Sequence, residues 1–522
     1  MASSGVGDFY PSVDQLVRDA SLSMEGGEVD RALRLPLEFV QKVIRDPRTV
    51  ARIFADRSLD IFCRDLGSRV LAAMGRVDAT SEGATGGVNH VFLATELYAT
   101  GGHTAVVEDL LKIKCFDGQP IILLTNVLGT AKLDVIARRF EPYGVIIECA
   151  PDGTLESRLL WTLRRLRALR PAQLLLFNHH QDSVAVAAAQ PGIAGKTVFY
   201  HHADHHLCLG ATLEYDLHVD PSPMGYHNCR DQLGLTHNAY WPLTAEDRGV
   251  PEGFERKLST SGKLRTCSSG TRNKFEQPYL FQYGQLVPEL LATTQGTHVH
   301  IGLLSDSTLA QIADGMRSAG IPSDRFTYFE WVPSVWEAIV NENVDLYLSS
   351  FPVSGARAIV EAMGSGTPTI AHESYVSRFH GAGDMLYCQA FSWRTSAELL
   401  DHVRRLSVEK LQEESRMART RYEEMHTLEA LRKAVLAWHD ARPAPPLRPY
   451  RPDPLQIFLD DMQVADSETP EHVAMRNEIV ALRSELRSAT AMLSSIYASH
   501  SWRMLGGVRW LASRLRSAGW KS

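Results

Sequence analysis

The chain has no Cys-x-x-Cys pair, no uninterrupted apolar run of membrane-spanning length and no surplus of positive charge, and each absence removes a class of function. Its seven cysteines, Cys63, Cys115, Cys149, Cys208, Cys229, Cys267 and Cys388, are scattered over 522 residues. That spacing argues against a disulfide framework and suits free thiols in a reducing compartment. The formal charge of −7 offers no global attraction to nucleic acid, so none is expected as a partner. The opening MASSGVGDFYPSVDQ lacks the basic start and apolar run of a secretory signal, and the expected location is cytoplasmic. A GxxxxGK[ST] phosphate loop is also absent. What remains is an ordinary globular composition, 44% hydrophobic and 22% charged, long enough for about three domains of roughly 150 residues.

Residues 1–86 carry helical patterns, Leu35 to Arg45 and Val50 to Met74 among them, and form a helical leader without a motif. Across 87–245 the texture changes. Short apolar runs at Val91 to Ala94, Ile121 to Leu124, Val145 to Ile147, Leu174 to Phe177, Val198 to Tyr200 and Leu217 to Val219 alternate with mostly helix-length segments, the rhythm of βαβ units. A polar stretch from Ala245 to Ser261 separates this series from a second one over 246–440, with runs at Leu264 to Cys267, His298 to Leu303, Phe326 to Phe329, Leu346 to Leu348 and Thr367 to Ile370. The expected fold class is α/β, two doubly wound Rossmann-like domains facing a cleft, with ligands outside the carboxyl ends of the strands. Prolines make 441–470 an extended linker. In 471–522, Met475, Ile479, Leu482, Leu486, Ala489, Leu493 and Ile496 form a coiled-coil stripe that fits self-association or a hairpin against the body. The same span ends in a basic amphipathic tail, without an acidic residue from Arg487 onward and with Trp502, Trp510 and Trp520 interleaved. Such a tail is suited to the anionic inner face of a membrane, or to packing on its own protein.

Several stretches carry candidate chemistry. Asp345 to Ala371 reads as a strand, a loop through Ser354-Gly355-Ala356, a helix from Arg357 to Met363 and a second strand. A small-residue loop at a helix N-terminus presents backbone N–H groups to a diphosphate, and Glu361, one turn on, suits a ribose or sugar. The loop Thr266 to Lys274 gathers Ser268, Ser269, Arg272 and Lys274, hydroxyls and cations for the same diphosphate. The strand-end loop Phe329 to Pro333, with Val332, suits a nucleobase. In the first domain, a turn at Gly101-Gly102 opens a helix with His103 at its start, placed as a general base or phosphate ligand, and Glu96 is a second acid–base candidate. His179 and His180 end one strand, and His201, His202, Asp204, His205 and His206 follow another. Strands of one parallel sheet end on one side, so these groups are expected to converge with His103. The i, i+4 pairs His201/His205 and His202/His206 with Asp204 also fit a metal site, a reading ranked below hydrogen bonding to sugar or phosphate.

In this order the motifs ELYATGGHT, SSGTRNKF and GARAIVEAMGSGTP resemble those of GT-B glycosyltransferases over roughly Asn89 to His439, the second domain most nearly those of the O-GlcNAc-transferase-like group. The terminal SHSWRMLGGVRWL resembles tails on bacterial polysaccharide glycosyltransferases. The resemblance implies a nucleotide-sugar donor, no cofactor, no bound metal, and a glycan, lipid-linked or protein acceptor. It places Ser269, Lys274, Gly355, Ala356, Arg357 and Glu361 on donor positions and His103 on the acceptor or catalytic side. Many retaining relatives carry a glutamate eight residues before the equivalent of Glu361; here that position is Val353. The departure favours an inverting enzyme with His103 as base, Asp204 and the nearby His202 and His205 being alternatives. A nucleotide-sugar 2-epimerase, or a non-catalytic glycan-binding or scaffold protein, is the competing expectation.

Overall fold

The computed structural model describes residues 12–46, 49–75, 89–99, 101–202, 204–249, 263–440, 442–451 and 492. The chain divides into two compact units, Met1–Phe458 and Leu459–Ser522, and apart from Met492 the description concerns the first. The expected coiled-coil stripe and basic tail therefore lie outside the described residues. No helix among the described residues is long and apolar enough to cross a membrane.

Seven strands, β1 (His90–Ala94), β2 (Ile121–Leu124), β3 (Ile146–Cys149), β4 (Gln173–Phe177), β5 (Lys196–Tyr200), β6 (Leu217–Asp220) and β7 (Asn238–Tyr240), form one sheet in the order β3-β2-β1-β4-β5-β6-β7. Six more, β8 (Arg265–Ser269), β9 (Thr297–Ile301), β10 (Phe326–Phe329), β11 (Leu346–Leu348), β12 (Thr369–His372) and β13 (Ser392–Trp393), form a second in the order β10-β9-β8-β11-β12-β13. Every pairing is parallel. Each sheet begins at its centre, winds one way and then reverses, so the switch points fall between β1 and β4 and between β8 and β11. Central strands are apolar on both faces because helices cover both. The edge strands β7 and β13, three and two residues long, have no apolar run to announce them.

The leader is built into the first lobe. Leu33 and Val40 of the helix Val29–Val43, and Leu59 and Leu66 of the helix Arg57–Ala73, share one core with Val91, Leu93, Leu174 and Leu176. Asp60, fully buried, accepts hydrogen bonds from Gly210 N at 2.6 Å and Thr212 N at 2.9 Å, which fixes the loop after β5. At the other end the chain crosses back. Leu431, Ala434 and Val435 of the helix Leu428–Ala437 pack with Phe92 and Phe177 of the first sheet, so the span 246–440 is shared between the lobes. The first part of the proline-rich segment, residues 442–451, has no regular secondary structure and is strapped to the second lobe. Arg448 N donates to Asp384 Oδ1 at 2.6 Å, Tyr450 donates to Ser374 O, and Arg451 pairs with Glu373 at 2.7 Å.

Candidate functional site

At the first switch point, β1 ends in a turn closed by Gly101, whose φ of +112° favours glycine, and the helix Gly102–Lys112 follows. A Cβ built at Gly101 meets nothing within 4 Å, so the backbone there is open to close approach. His103 is in the first turn of the helix and is buried. Its ring centroid lies 4.0 Å from that of His202, after β5, and 4.7 Å from that of His179, after β4. Three stretches remote in sequence thus meet at the carboxyl edge of one sheet, as the strand polarity requires. The His103 ring has a hydrogen-bond partner in the Phe177 backbone at the end of β4. Burial, reinforced by His202 and His179, holds the His103 imidazole well below its ordinary range, and burial brings His179 to about 4. A neutral imidazole with one nitrogen engaged by backbone can accept a proton at the other.

The other expected acid–base groups of this lobe are engaged by structure. Glu96 is buried and accepts from Thr130 N at 3.0 Å, from Thr130 Oγ1 and from Tyr98 OH at 3.3 Å, which commits its carboxylate to the loop after β2. Asp204 accepts from Ser222 Oγ, the N-cap of the helix Pro223–Asp231. A Cβ on Gly225 would come within 2.4 Å of Asp204 Oδ2, so this carboxylate is seated on that helix's first turn. His205 Nδ1 lies 3.4 Å from Asp204 Oδ1, and its ring is 4.1 Å from that of His206. None of the described residues between 201 and 206 is helical, which undoes the i, i+4 geometry of the expected metal pairs. His201 faces Asp220 and Cys229, while His202 faces His103.

At the second switch point, Ser268 and Ser269 lie in β8 itself and are buried, so alternation along the strand sends them to opposite faces and they cannot serve one phosphate together. Arg272 and Lys274 follow in the short helix Arg272–Phe275, Arg272 exposed and Lys274 part-buried. Lys274 Nζ donates to Ser354 O at 2.8 Å and lies 3.2 Å from a Cβ built on Gly355. Burial lowers its pKa to about 8. Gly355 caps the helix Ala356–Gly364, so the cation and the first free N–H groups of that helix share one corner. Glu361 Oε2 accepts from Trp336 N at 3.1 Å, and Trp336, in the helix Val335–Asn341, stands four residues beyond Val332 of the loop after β10. The residues read for base and ribose are therefore neighbours through Trp336, and Trp331 beside Val332 is 63% exposed.

No protein-family profile matches the sequence, and no curated protein does either. Among solved structures, Anabaena Alr3699/HepE in complex with UDP and glucose matches with a TM-score of 0.50 at 12% identity, covering 67% of this chain and 98% of that one. A glycosyltransferase from Rickettsia africae ESF-5 matches with a TM-score of 0.50 at 11% identity, again over 67% and 98%. The fold is GT-B. The likeness is one of fold, and the chemistry rests on this chain's own side chains.

The two GT-B lobes meet at the candidate site. A Cβ built on Gly102 would lie 4.0 Å from Arg357 Cβ, which brings the glycine turn of one lobe to the helix N-terminus of the other. Arg357 pairs with Asp109 of the helix Gly102–Lys112 and donates to Thr244 O at 2.7 Å. Its guanidinium is thus spent across the cleft, where a donor contact was expected. Asp109, Thr244 and Trp336 carry no sequence signal of their own: one is a carboxylate in mid-helix, and the other two act wholly or partly through their backbone.

Proposed function

We propose that this GT-B chain is a glycosyltransferase that moves a sugar from a nucleoside-diphosphate donor to an acceptor hydroxyl. The observation that carries the reading is the juxtaposition of a neutral, buried His103 on one lobe with Lys274 and the Gly355 cap on the other, joined where Gly102 meets Arg357. In the proposed step the acceptor oxygen attacks the anomeric carbon and its proton passes to His103. The bond from that carbon to the diphosphate oxygen breaks. Charge on the departing diphosphate is stabilised by Lys274 and by the N–H groups that open the helix Ala356–Gly364. No carboxylate stands at Val353, which supports inversion in a single displacement. With a lysine and a helix terminus facing the leaving group, we infer that the cleft needs no divalent ion.

HepE is described in complex with UDP, and uracil is therefore the first base to test. The acceptor is proposed to be a glycan, a lipid-linked sugar or a protein. The setting is the cytoplasm, with the tail at the inner membrane face and the coiled-coil stripe joining two copies. The test uses the full chain with a panel of nucleoside-diphosphate sugars and candidate acceptors, following nucleotide release and product, with divalent ions withheld during turnover. Nucleotide release that depends on acceptor supports the proposal. Loss of turnover restored only by a divalent ion overturns the metal-free part. Absence of any nucleotide-induced rise in melting temperature, across all bases, sinks the whole reading.

A further inference from the structure

One polar cluster in the first lobe takes no part in the proposed transfer. His201 after β5, His218 and Asp220 in β6, and Cys229 in the helix Pro223–Asp231 are all buried, and one ligand atom from each lies within 4.8 Å of all the others. His201 Nδ1 is 3.1 Å from Asp220 Oδ1 and 3.3 Å from Cys229 Sγ. His218 Nε2 and Cys229 Sγ each lie 3.2 Å from the same Asp220 oxygen. Two imidazoles, a thiol and a carboxylate make an expensive group to desolvate in a core. As a plain hydrogen-bonded knot, the cluster asks Asp220 Oδ1 to accept from His201, His218 and Cys229 at once.

We infer that His201, His218, Asp220 and Cys229 form a closed, four-ligand site for one zinc-type divalent cation. The donor set is of the kind such a cation takes in structural sites, and metal–ligand bonds of about 2.0–2.3 Å imply ligand separations of roughly 3.3–3.8 Å in a tetrahedron. The observed spacings already approach that cage. Charge closes as well. The dication meets the Asp220 carboxylate and a Cys229 thiolate, whose proton leaves to solvent, with both histidines neutral, so the buried group is electroneutral. Asp220 Oδ2 is held by Asn238 Nδ2 at 2.7 Å, which turns Oδ1 inward as an outer-shell partner does. The site ties β5, β6 and the helix Pro223–Asp231 together, and it fixes the backbone just before His202. It stands apart from the cleft chemistry and is independent of the glycosyl-transfer reading.

The experiment uses the full chain, purified without a nickel column and loaded separately with Zn(II) and Co(II). About one metal per chain is expected after dialysis, and the cobalt form should show tetrahedral absorption with a thiolate-to-cobalt charge-transfer band. Cys229→Ser should lose that band, whereas Cys267→Ser, which removes a buried thiol in β8, should keep it. His218→Gln should lower metal retention, with circular dichroism confirming the fold of each variant. A folded wild-type chain that retains under about a tenth of an equivalent overturns the site. A cobalt spectrum without a thiolate band overturns it too, whether or not Cys229→Ser folds, and so does a band that survives Cys229→Ser, since another cysteine would then ligate the ion.

Discussion

Arg357 and Asp109 meet from opposite lobes, with Arg357 Nη1 2.5 Å from Asp109 Oδ2 and the pair withdrawn from water. Burial lifts the Asp109 carboxyl above its ordinary value while Arg357 pulls it down, and Asp109 in turn raises the arginine against its own desolvation. Such a pair is weak as net stabilisation and costly to break, because the survivor is left as a buried charge. Truncating either residue to Ala should therefore cost about 3–5 kcal/mol in denaturant unfolding, whereas Asp109→Leu with Arg357→Met should recover most of the loss. Additive losses in the double variant would show that the two side chains act separately.

His103→Gln should lower kcat by about 10²–10⁴-fold and leave nucleotide affinity nearly unchanged, since the ring lies across the cleft from Lys274. Because burial first, and then His202 and His179, hold His103 below its ordinary range, the acid limb of the wild-type kcat profile should fall below that of a free histidine. Removing one neighbour in His202→Asn relieves part of that depression, so the limb should move toward higher pH. A wild-type limb at the ordinary histidine value, unmoved by His202→Asn, would count against His103 as the group that titrates.

Two parallel, doubly wound sheets followed from the alternation of apolar runs with helix-length segments, while the strand orders came from the structure. β7 and β13 were illegible because edge strands this short need no apolar pattern. The convergence of His103, His179 and His202 was legible because strand polarity puts all three at one edge. What escaped the sequence was commitment. Glu96, Asp204 and Arg357 have the chemistry of site residues, and only tertiary packing reveals that Thr130, Ser222 and Asp109 already engage them. Ser354 acts through a carbonyl, which no residue type encodes.

Acid should unfold this protein early. Burial holds His179 at about 4, His298 at about 3, His300 at about 4 and His426 at about 4, all below the unfolded value of 6.5. The unfolded chain therefore binds these protons first. Stability is fully present above pH 6.5 and is lost as pH falls toward the folded values, at up to about 1.4 kcal/mol per pH unit per histidine. Asp60, pushed up to about 6 by burial, opposes this between 3.8 and 6, and Asp109, Asp182, Asp384 and Glu414, also raised by burial, act in the same direction as Asp60. Urea midpoints should drop steeply from pH 6.5 to 5; a flat series over that interval contradicts the burial of these rings.

Lys274 offers the sharpest test of the donor site. Burial alone brings it down to about 8, so near that pH half of the free protein carries a neutral amine beside the Gly355 cap. A diphosphate prefers the charged form. Binding above pH 8 must then take up a proton, and affinity for UDP should fall by up to about tenfold per pH unit as pH rises beyond that value. Lys274→Arg keeps its charge throughout this range, so its affinity should be flat with pH even if weaker at pH 7. Calorimetry in two buffers of different ionisation enthalpy reads the proton directly. Wild-type binding without buffer dependence at pH 8, and with the same pH profile as Lys274→Arg, would place the diphosphate away from Lys274.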